Sequence, residues 1–471
     1  MQMNRKSSLG ANRARNTNGD FERAFERFGA RVSRRHISRK MERSIREFER
    51  RVSGIKPKIK KLSNGVSVIM ERDTSVHDCA VLVVFRFGSR DENARTAGRT
   101  HLLEHLLFRG PVGQDLQRAG KSISAGMNAD TLRECVSFSI IANRIFAREA
   151  AETVSLLVST ADFPQEHFDL EREVVLGEFG TYADDPCLYS EERLYDVMFN
   201  IPMSRSELGL KQVIRRSERE MMLRFYMTRF TADNAFITVA GNFNESEVVK
   251  ALESSLLLRQ NGLRFGRKSP KQFYGKRTAL RPELDLAHIS IGAHGGGYKD
   301  PLLDSFFALN ILLGAGAYSW LYEKVRDEFG LCYSITSDYS YYSDCGLLDV
   351  YADPALPDAV QVFSIVVELL KKVAKGEIPE SEYRDAINQL AFTYIEGQND
   401  PYDRAVTIAE CFLHTGRVET AIQKVEQSLS VKSSLIAKAA QVLLANRMSV
   451  SCVAPGKPGI SYRDLETDRL Q

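Results

Sequence analysis

Five residues, His101-Leu102-Leu103-Glu104-His105, carry the residue types and the spacing of a metal site. On a helix of 3.6 residues per turn, His101 and His105 project from one face a turn apart, so two imidazoles can share one ion. Two imidazoles leave a metal short of ligands, and a carboxylate or a third imidazole must come from elsewhere, with a position left open for water. Glu104, beside them, is then free to take a proton from that water. In a chain of 471 residues with 8 His, such a string arises by chance roughly 1% of the time, so coincidence competes weakly. The order is that of the inverzincins, the reverse of His-Glu-x-x-His.

A further ligand is best sought in Glu171-Arg172-Glu173-Val174-Val175-Leu176-Gly177-Glu178. Glu171 and Glu178 are seven apart, hence on one helix face two turns from each other, with Val174 and Val175 expected to pack. One can bind a metal while the other supports the site from behind. Glutamate is common on solvated helices, so the pair alone marks nothing.

The elements that must position these groups follow from pattern. Lys60 to Ile69 places Asn64-Gly65 between alternating apolar residues, a hairpin signal. Cys79 to Phe87 is a near-continuous apolar strand, Gly98 to Phe108 a helix of mixed apolar and ionisable residues, and Val136 to Ala142 another strand. Helices are expected at Ala147–Ser159 and from Pro164 to Phe179, the second with Pro in its first turn, where a missing amide hydrogen costs nothing. Arg264 to Arg277, basic and containing Gly and Pro, reads as a linker.

Beyond it the chain restates itself. Phe163-Pro164-Gln165-Glu166-His167-Phe168 maps at an offset of 215 onto Ile378-Pro379-Glu380-Ser381-Glu382-Tyr383, and the same offset carries Asp185-Pro186 onto Asp400-Pro401. Two separated landmarks at one offset indicate duplicated domains of the α+β class, each a sheet with helices on one side. In the second copy Glu171 becomes Ala386 and Glu178 becomes Thr393, and the helix expected at Asp304–Leu313 has no His. Only the first copy carries metal-ligand residues.

Composition bounds the rest. With 43% apolar and 27% charged residues the chain is of ordinary globular type. No run approaches the roughly 18 apolar residues of a membrane span, and the first residues lack the hydrophobic core of a secretory signal. Seven scattered cysteines, none in a Cys-x-x-Cys pair, suit reduced thiols in a cytoplasm, an organelle matrix being less favoured. Residues 1–55 hold a charge of +9 against −6 for the remainder. Phe21, Phe25 and Phe28, then Met41, Ile45 and Phe48, recur in this arm at helical spacing. A solvated or partner-docked extension is expected there, ahead of an acidic-surface binder. Its six acids argue against an organelle presequence.

Gly88-Ser89-Arg90-Asp91-Glu92, followed by Gly98-Arg99-Thr100-His101-Leu102-Leu103-Glu104-His105-Leu106-Leu107-Phe108-Arg109-Gly110, resembles the zinc-site signature of the pitrilysin family, which includes insulin-degrading enzyme and the mitochondrial processing peptidase. The resemblance runs from about residue 59 to 455. It implies Zn2+ as cofactor, Glu178 as third ligand beside His101 and His105, and Glu171 as the acidic residue supporting the site. Asn128-Ala129 is similar to the edge strand on which these enzymes hold substrate. In the second half, Leu312-Leu313-Gly314-Ala315-Gly316, Arg326 and Gly330-Leu331-Cys332-Tyr333 resemble the family's Gly-rich loop and its Arg and Tyr pair. Val136 and Phe138 stand where the family usually has Thr and Tyr, and Trp320 where a small residue is common, departures that bear on substrate preference.

The implied architecture is two homologous domains in a clam-shell arrangement, each a mostly antiparallel sheet covered by helices. The expected division is a basic extension at 1–55, a zinc-binding domain at 56–262, a linker at 263–278, a metal-free domain at 279–460 and a tail at 461–471. The implied activity is a zinc endopeptidase acting on peptides or on leader or targeting segments, with Glu104 as general base. Arg326 and Tyr333 would hold substrate and offset charge on the tetrahedral oxygen. Length favours the small processing-peptidase branch, in which two chains make a working unit, so a homodimer or a heterodimer with a related chain is expected and a nucleic acid is not. The competing reading is a catalytically silent or partner-dependent subunit of such a complex.

Overall fold

The computed structural model describes residues 34–316 and 318–456. The chain divides into two compact units, Met1–Gly54 and Ile55–Gln471. In the first, helix α1 (Arg34–Val52) contains Met41, Ile45 and Phe48, and Arg43 pairs with Glu47 one turn on at 2.8 Å. Phe21, Phe25, Phe28 and the tail at 461–471 lie outside the described residues.

The second unit holds two sheets. The first is formed by β1 (Lys58–Lys61), β2 (Ser67–Arg72), β3 (Asp78–Phe85), β4 (Gly126–Thr131), β5 (Val136–Asn143) and β6 (Ala235–Gly241). Between these strands run helices α2 (Arg99–Arg109), α3 (Pro111–Ser122), α4 (Ala147–Ser159), α5 (Gln165–Asp184), α6 (Pro186–Met198), α7 (Lys211–Arg215) and α8 (Arg219–Arg229), and α9 (Glu245–Ser255) follows β6. The second sheet is formed by β7 (Lys276–Leu280), β8 (His288–Gly295), β9 (Cys332–Tyr341), β10 (Gly346–Pro354) and β11 (Ser449–Ala454). Its helices are α10 (Leu303–Leu313), α11 (Ala359–Ala374), α12 (Glu380–Gly397), α13 (Pro401–Thr415), α14 (Ala421–Leu429) and α15 (Ser433–Leu444).

Duplication is written in the strand order. The first sheet runs β1-β2-β6-β3-β5-β4 and the second β7-β11-β8-β10-β9, so that, without β1, both follow one path. In each, the first long strand pairs parallel to the last one, β2 with β6 and β7 with β11, and every other pairing is antiparallel. This is the two-domain α+β class expected. The 215-residue offset also fixes helix starts: Pro164 and Pro379 open α5 and α12, while Asp185 and Asp400 cap α6 and α13. The Asp185 carboxylate accepts from the amides of Cys187 and Leu188, and that of Asp400 from Tyr402, with Pro at the first helical position in both.

Strand β3 shows why its sequence is apolar without alternation. Cys79, Val81, Val83 and Phe85 face the core under the first half's own helices, whereas Ala80, Leu82 and Val84 face a second apolar layer with Ala405, Ile408, Ala409 and Phe412 of α13. The converse holds for the second sheet, where Leu194 and Met198 of α6 lie against β8. A Cβ on Gly292 would come within 2.3 Å of the Met198 sulfur. Each half thus covers the back of the other's sheet with the helix that follows its Asp-Pro step.

Buried charge ties the same surfaces. Arg404 on α13 makes two 2.5 Å bonds to the Glu71 carboxylate on β2, both groups almost wholly buried, and Gln398 donates to Glu71 at 3.2 Å. Arg90 donates at 2.6 Å to Glu134 and at 2.8 Å to each oxygen of Asp344 across the halves. The stretch read as a linker is pinned: Arg267 grips Asp91 at 2.6 and 2.9 Å and donates to the Glu134 carbonyl, while Phe265 packs on the first core. No helix of the described residues is long and apolar enough to cross a membrane.

Arg404→Met should cost about 3 to 5 kcal/mol, because it strands the buried Glu71 carboxylate. Adding Glu71→Leu should recover most of that loss. Urea unfolding followed by circular dichroism tests both, and an Arg404→Met protein as stable as wild type would show that the pair does not tie the halves.

Candidate metal centre

Helix α2 divides lengthwise. Leu102, Leu103, Leu106 and Leu107 are buried in the first core, which leaves His101, Glu104, His105 and Phe108 half-buried on the opposite face. Its start is set from outside. Gly98 sits at φ 94°, in the left-handed region, and a Cβ there would meet the Leu208 carbonyl at 2.4 Å. The buried Glu92 carboxylate then accepts from the Gly98 amide at 2.6 Å, the Thr100 amide at 2.7 Å and the Thr100 hydroxyl at 2.8 Å. These satisfy donors that a helix N-terminus leaves open. The run Gly88 to Glu92 therefore acts as a set of anchors. Arg90 reaches the second half, Asp91 holds Arg267 and Glu92 aims the helix that carries the histidines.

Helix α5 delivers the two glutamates. Glu171 is buried, and its Oε2 lies 3.4 Å from His105 Nδ1. Glu178 is more open, with one oxygen 3.5 Å from His101 Nε2 and the other 3.3 Å from His105 Nε2. One ligand atom from each of His101, His105 and Glu178 lies within 4.8 Å of the others, and the two imidazole rings stand nearly perpendicular at 4.8 Å. Four bonds of about 2.0 to 2.2 Å around a tetrahedral zinc put neighbouring ligand atoms about 3.3 to 3.6 Å apart. The two imidazole–carboxylate separations fall in that range, each to a different Glu178 oxygen, and two imidazoles with one carboxylate form a donor set that zinc accepts. Val175 is buried as expected, but Val174 is exposed, because the α5 face carrying Glu171 and Glu178 turns Val174 outward.

The two histidines differ in their electrostatic surroundings. Burial, then the neighbouring His105, lowers His101 to about 4, so its imidazole is neutral at physiological pH. Burial also acts to lower His105, but its hydrogen bond to the Glu171 carboxylate and the Glu178 and Glu104 carboxylates outweigh it and the net direction is up. Burial raises Glu104 against the opposing hydrogen bond from Thr131, whose hydroxyl donates to Glu104 Oε2 at 2.5 Å.

Thr131 closes the edge strand β4, which among the described residues pairs only with β5. Asn128 and Ala129 lie on this strand, the Asn128 amide turned onto Asp130 at 3.3 Å. Both line a cavity of about 630 Å3 that also includes Glu104 and His105. Arg326 and Tyr333 meet each other instead. The Arg326 guanidinium lies 4.7 Å from the Tyr333 ring centre and bonds the Tyr322 hydroxyl, on a wide-turned helix (Tyr322–Glu328) and the first turn of edge strand β9. Tyr333 is 74% exposed. Thr131 and Glu92 escaped the sequence reading. Glu92 stood in the signature run Gly88 to Glu92 without a role, and Thr131 carried no signal of its own.

Comparison with known proteins gives the family. Residues 67–209 match the family described as Insulinase (Peptidase family M16), and residues 217–390 match the Peptidase M16 inactive domain. The chain belongs to this family of zinc metallopeptidases, which is the pitrilysin family. An uncharacterized zinc protease of Mycobacterium tuberculosis is 27% identical over 422 residues, covering 86% of this chain and 94% of its own. In fold the chain is similar to a protease from Helicobacter pylori (TM-score 0.79, 20% identity, 85% of this chain and 100% of that one). It is similar also to a peptidase M16 inactive domain from Pseudomonas fluorescens (TM-score 0.78, 16% identity, 85% and 98%).

Glu92 generates a pH prediction. Burial, against the opposing Gly98 and Thr100 hydrogen bonds, pushes its carboxyl from 4.5 to about 7. A native group that holds its proton more tightly than the unfolded one contributes stability that is full below about 4.5 and lost as pH rises through about 7. In metal-chelated protein, wild type should lose more stability between pH 5 and pH 8 than Glu92→Gln, as read from urea midpoints. Equal losses would place the charge of Glu92 outside the stability of α2.

Proposed function

We propose that the chain is a zinc-dependent endopeptidase, acting on peptides or on leader or targeting segments. The observation that carries this is the convergence of the two Nε2 atoms on Glu178, with Glu104 held beside them by Thr131. His101, His105 and Glu178 would hold the metal, with Glu171 fixing the His105 tautomer through Nδ1. When bound, zinc supplies a Lewis acid for the scissile carbonyl and lowers the pKa of water.

The protein's own groups do the rest. Thr131 occupies one oxygen of Glu104 and leaves the other to accept the proton of the attacking water. Burial raises the proton affinity of Glu104, which suits a group that takes this proton and then gives it to the leaving amine. An extended substrate would add to β4 beside Asn128 and Ala129, so that backbone hydrogen bonds supply affinity. The seven cysteines are all free, which supports a reducing cytoplasm. We read 56–262 as the catalytic domain, 279–460 as its metal-free homologue, and 1–55 as an extension outside both.

A second reading, a partner-dependent subunit, is favoured by the exposure of Tyr333, against which the half-buried Arg326 guanidinium stacks on the second half. In a homodimer or a heterodimer this pair would serve the metal site of a neighbouring chain.

Purified protein should carry one zinc, measured by plasma mass spectrometry. His101→Ala or His105→Ala should lose it, whereas Glu104→Gln should retain metal and lose turnover. Glu171→Gln should cost about 10 to 100-fold in affinity or activity, less than Glu178→Gln. Peptide cleavage by Glu104→Gln at the wild-type rate would sink the general-base role. For the composite site, mixing His101→Ala chains with Arg326→Ala, Tyr333→Ala chains should restore about a quarter of the total activity after random exchange. Exchange without recovery would assign the pair to its own chain.

A further inference from the structure

The cavity beside Glu104 extends away from the histidines toward the end of α2 and along α3, with Phe108, Arg109, Gln117, Lys121, Ala125 and Met127 in its walls. Its charge is unbalanced. Arg109 and Lys121 are exposed, and among the described residues neither forms an ion pair or a side-chain hydrogen bond. Other basic residues nearby are neutralised, as Arg118 is by Asp115 at 2.9 Å. Gln117 donates its amide N–H to the Phe108 carbonyl at 2.8 Å and, being neutral, offsets neither cation. The one carboxylate in the lining is Glu104, at the metal-site end. Phe108, Ala125 and Met127 give the cavity apolar walls, which suit the methylenes of a side chain whose head is charged.

Strand direction assigns the cavity to one side of the cut. Antiparallel pairing is the more stable per residue, and a guest strand that pairs so with β4 runs from Thr131 toward Gly126. Thr131 bonds Glu104, whereas Met127 lines the cavity, so the guest passes the histidines first and the cavity afterwards. Resting on the peptidase reading above, we infer that Arg109 and Lys121 are specificity-determining residues that select a substrate carboxylate on the C-terminal side of the cut. That carboxylate can belong to an Asp or Glu side chain or to the substrate's own C-terminus, since both present the same anion to the two cations.

The test uses full-length protein and peptides whose cut site is mapped by mass spectrometry. One arm compares end-capped peptides with Glu, Gln or Lys at the two positions after the cut. The other compares peptides that end within those positions as a free acid or as an amide. Two quantities are read, kcat/KM for wild type and fluorescence-anisotropy Kd for Glu104→Gln. At least one arm should favour the carboxylate by about five- to tenfold, as two partly exposed ion pairs allow. The double charge reversal Arg109→Glu, Lys121→Glu should invert the Glu-over-Lys order or abolish the free-acid preference. Cleavage with no carboxylate preference in either arm, or a preference that survives the reversal, overturns the assignment of the cavity alone. Neither cleavage nor binding of any peptide overturns it together with the peptidase reading.

Discussion

The first sheet of this protein is apolar on both faces, the second has a back face that mixes Leu347 with the buried Ser290, His294, Ser449 and Ser451, and each half places most of its helices on one face of its own sheet. That constraint organises everything else. The uncovered faces of β3 and β8 are closed by α13 and α6, each contributed by the opposite half. Burying such a layer removes apolar area worth roughly 25 cal/mol per Å2 from water, and it also draws polar groups into the same seam. Arg404 with Glu71, and Arg90 with Glu134 and Asp344, answer that cost by meeting as charge-assisted pairs.

The candidate metal centre inherits its rigidity from this frame. Its histidines stand on a helix whose opposite side is locked into the core by four leucines and whose first turn is held by Glu92. The residues just before Glu92 are themselves bonded to the second half and to the connecting segment. A displacement between the halves would therefore be felt at the start of α2. The second half, without metal-ligating side chains at the equivalent positions, still helps to hold the ligands of the first.

Much of this was legible in the sequence, for reasons that differ from element to element. The Asn64-Gly65 hairpin and α4 follow from local turn chemistry and from apolar periodicity. Helix α5 runs past its expected end at Phe179 to Asp184, because its last turn is polar and is stopped only by the Asp185-Pro186 cap of the next helix. Helix α3 was not legible. It contains Pro111, Gly113 and Gly120, poor helix formers, and Gly113 is required by contact, since a Cβ there would meet the Leu107 carbonyl at 2.1 Å. The histidine pair and the Glu171 and Glu178 pair were legible by spacing, and the family resemblance alone singled out Glu178, whereas Thr131 and Glu92 act through contacts between segments that no local pattern encodes. The continuous apolar run of β3 announced a strand covered on both faces but not that α13 would supply the second cover.

The exchange of α6 and α13 has a consequence in time as well as in space. During synthesis, the back face of the first sheet has no cover until the chain has been extended to Thr415. At about 5 to 20 residues per second, that leaves Ala80, Leu82 and Val84 without α13 for roughly tens of seconds after they emerge. The first half cannot complete itself ahead of the second, so the nascent chain presents an apolar surface that only its own later segment can retire.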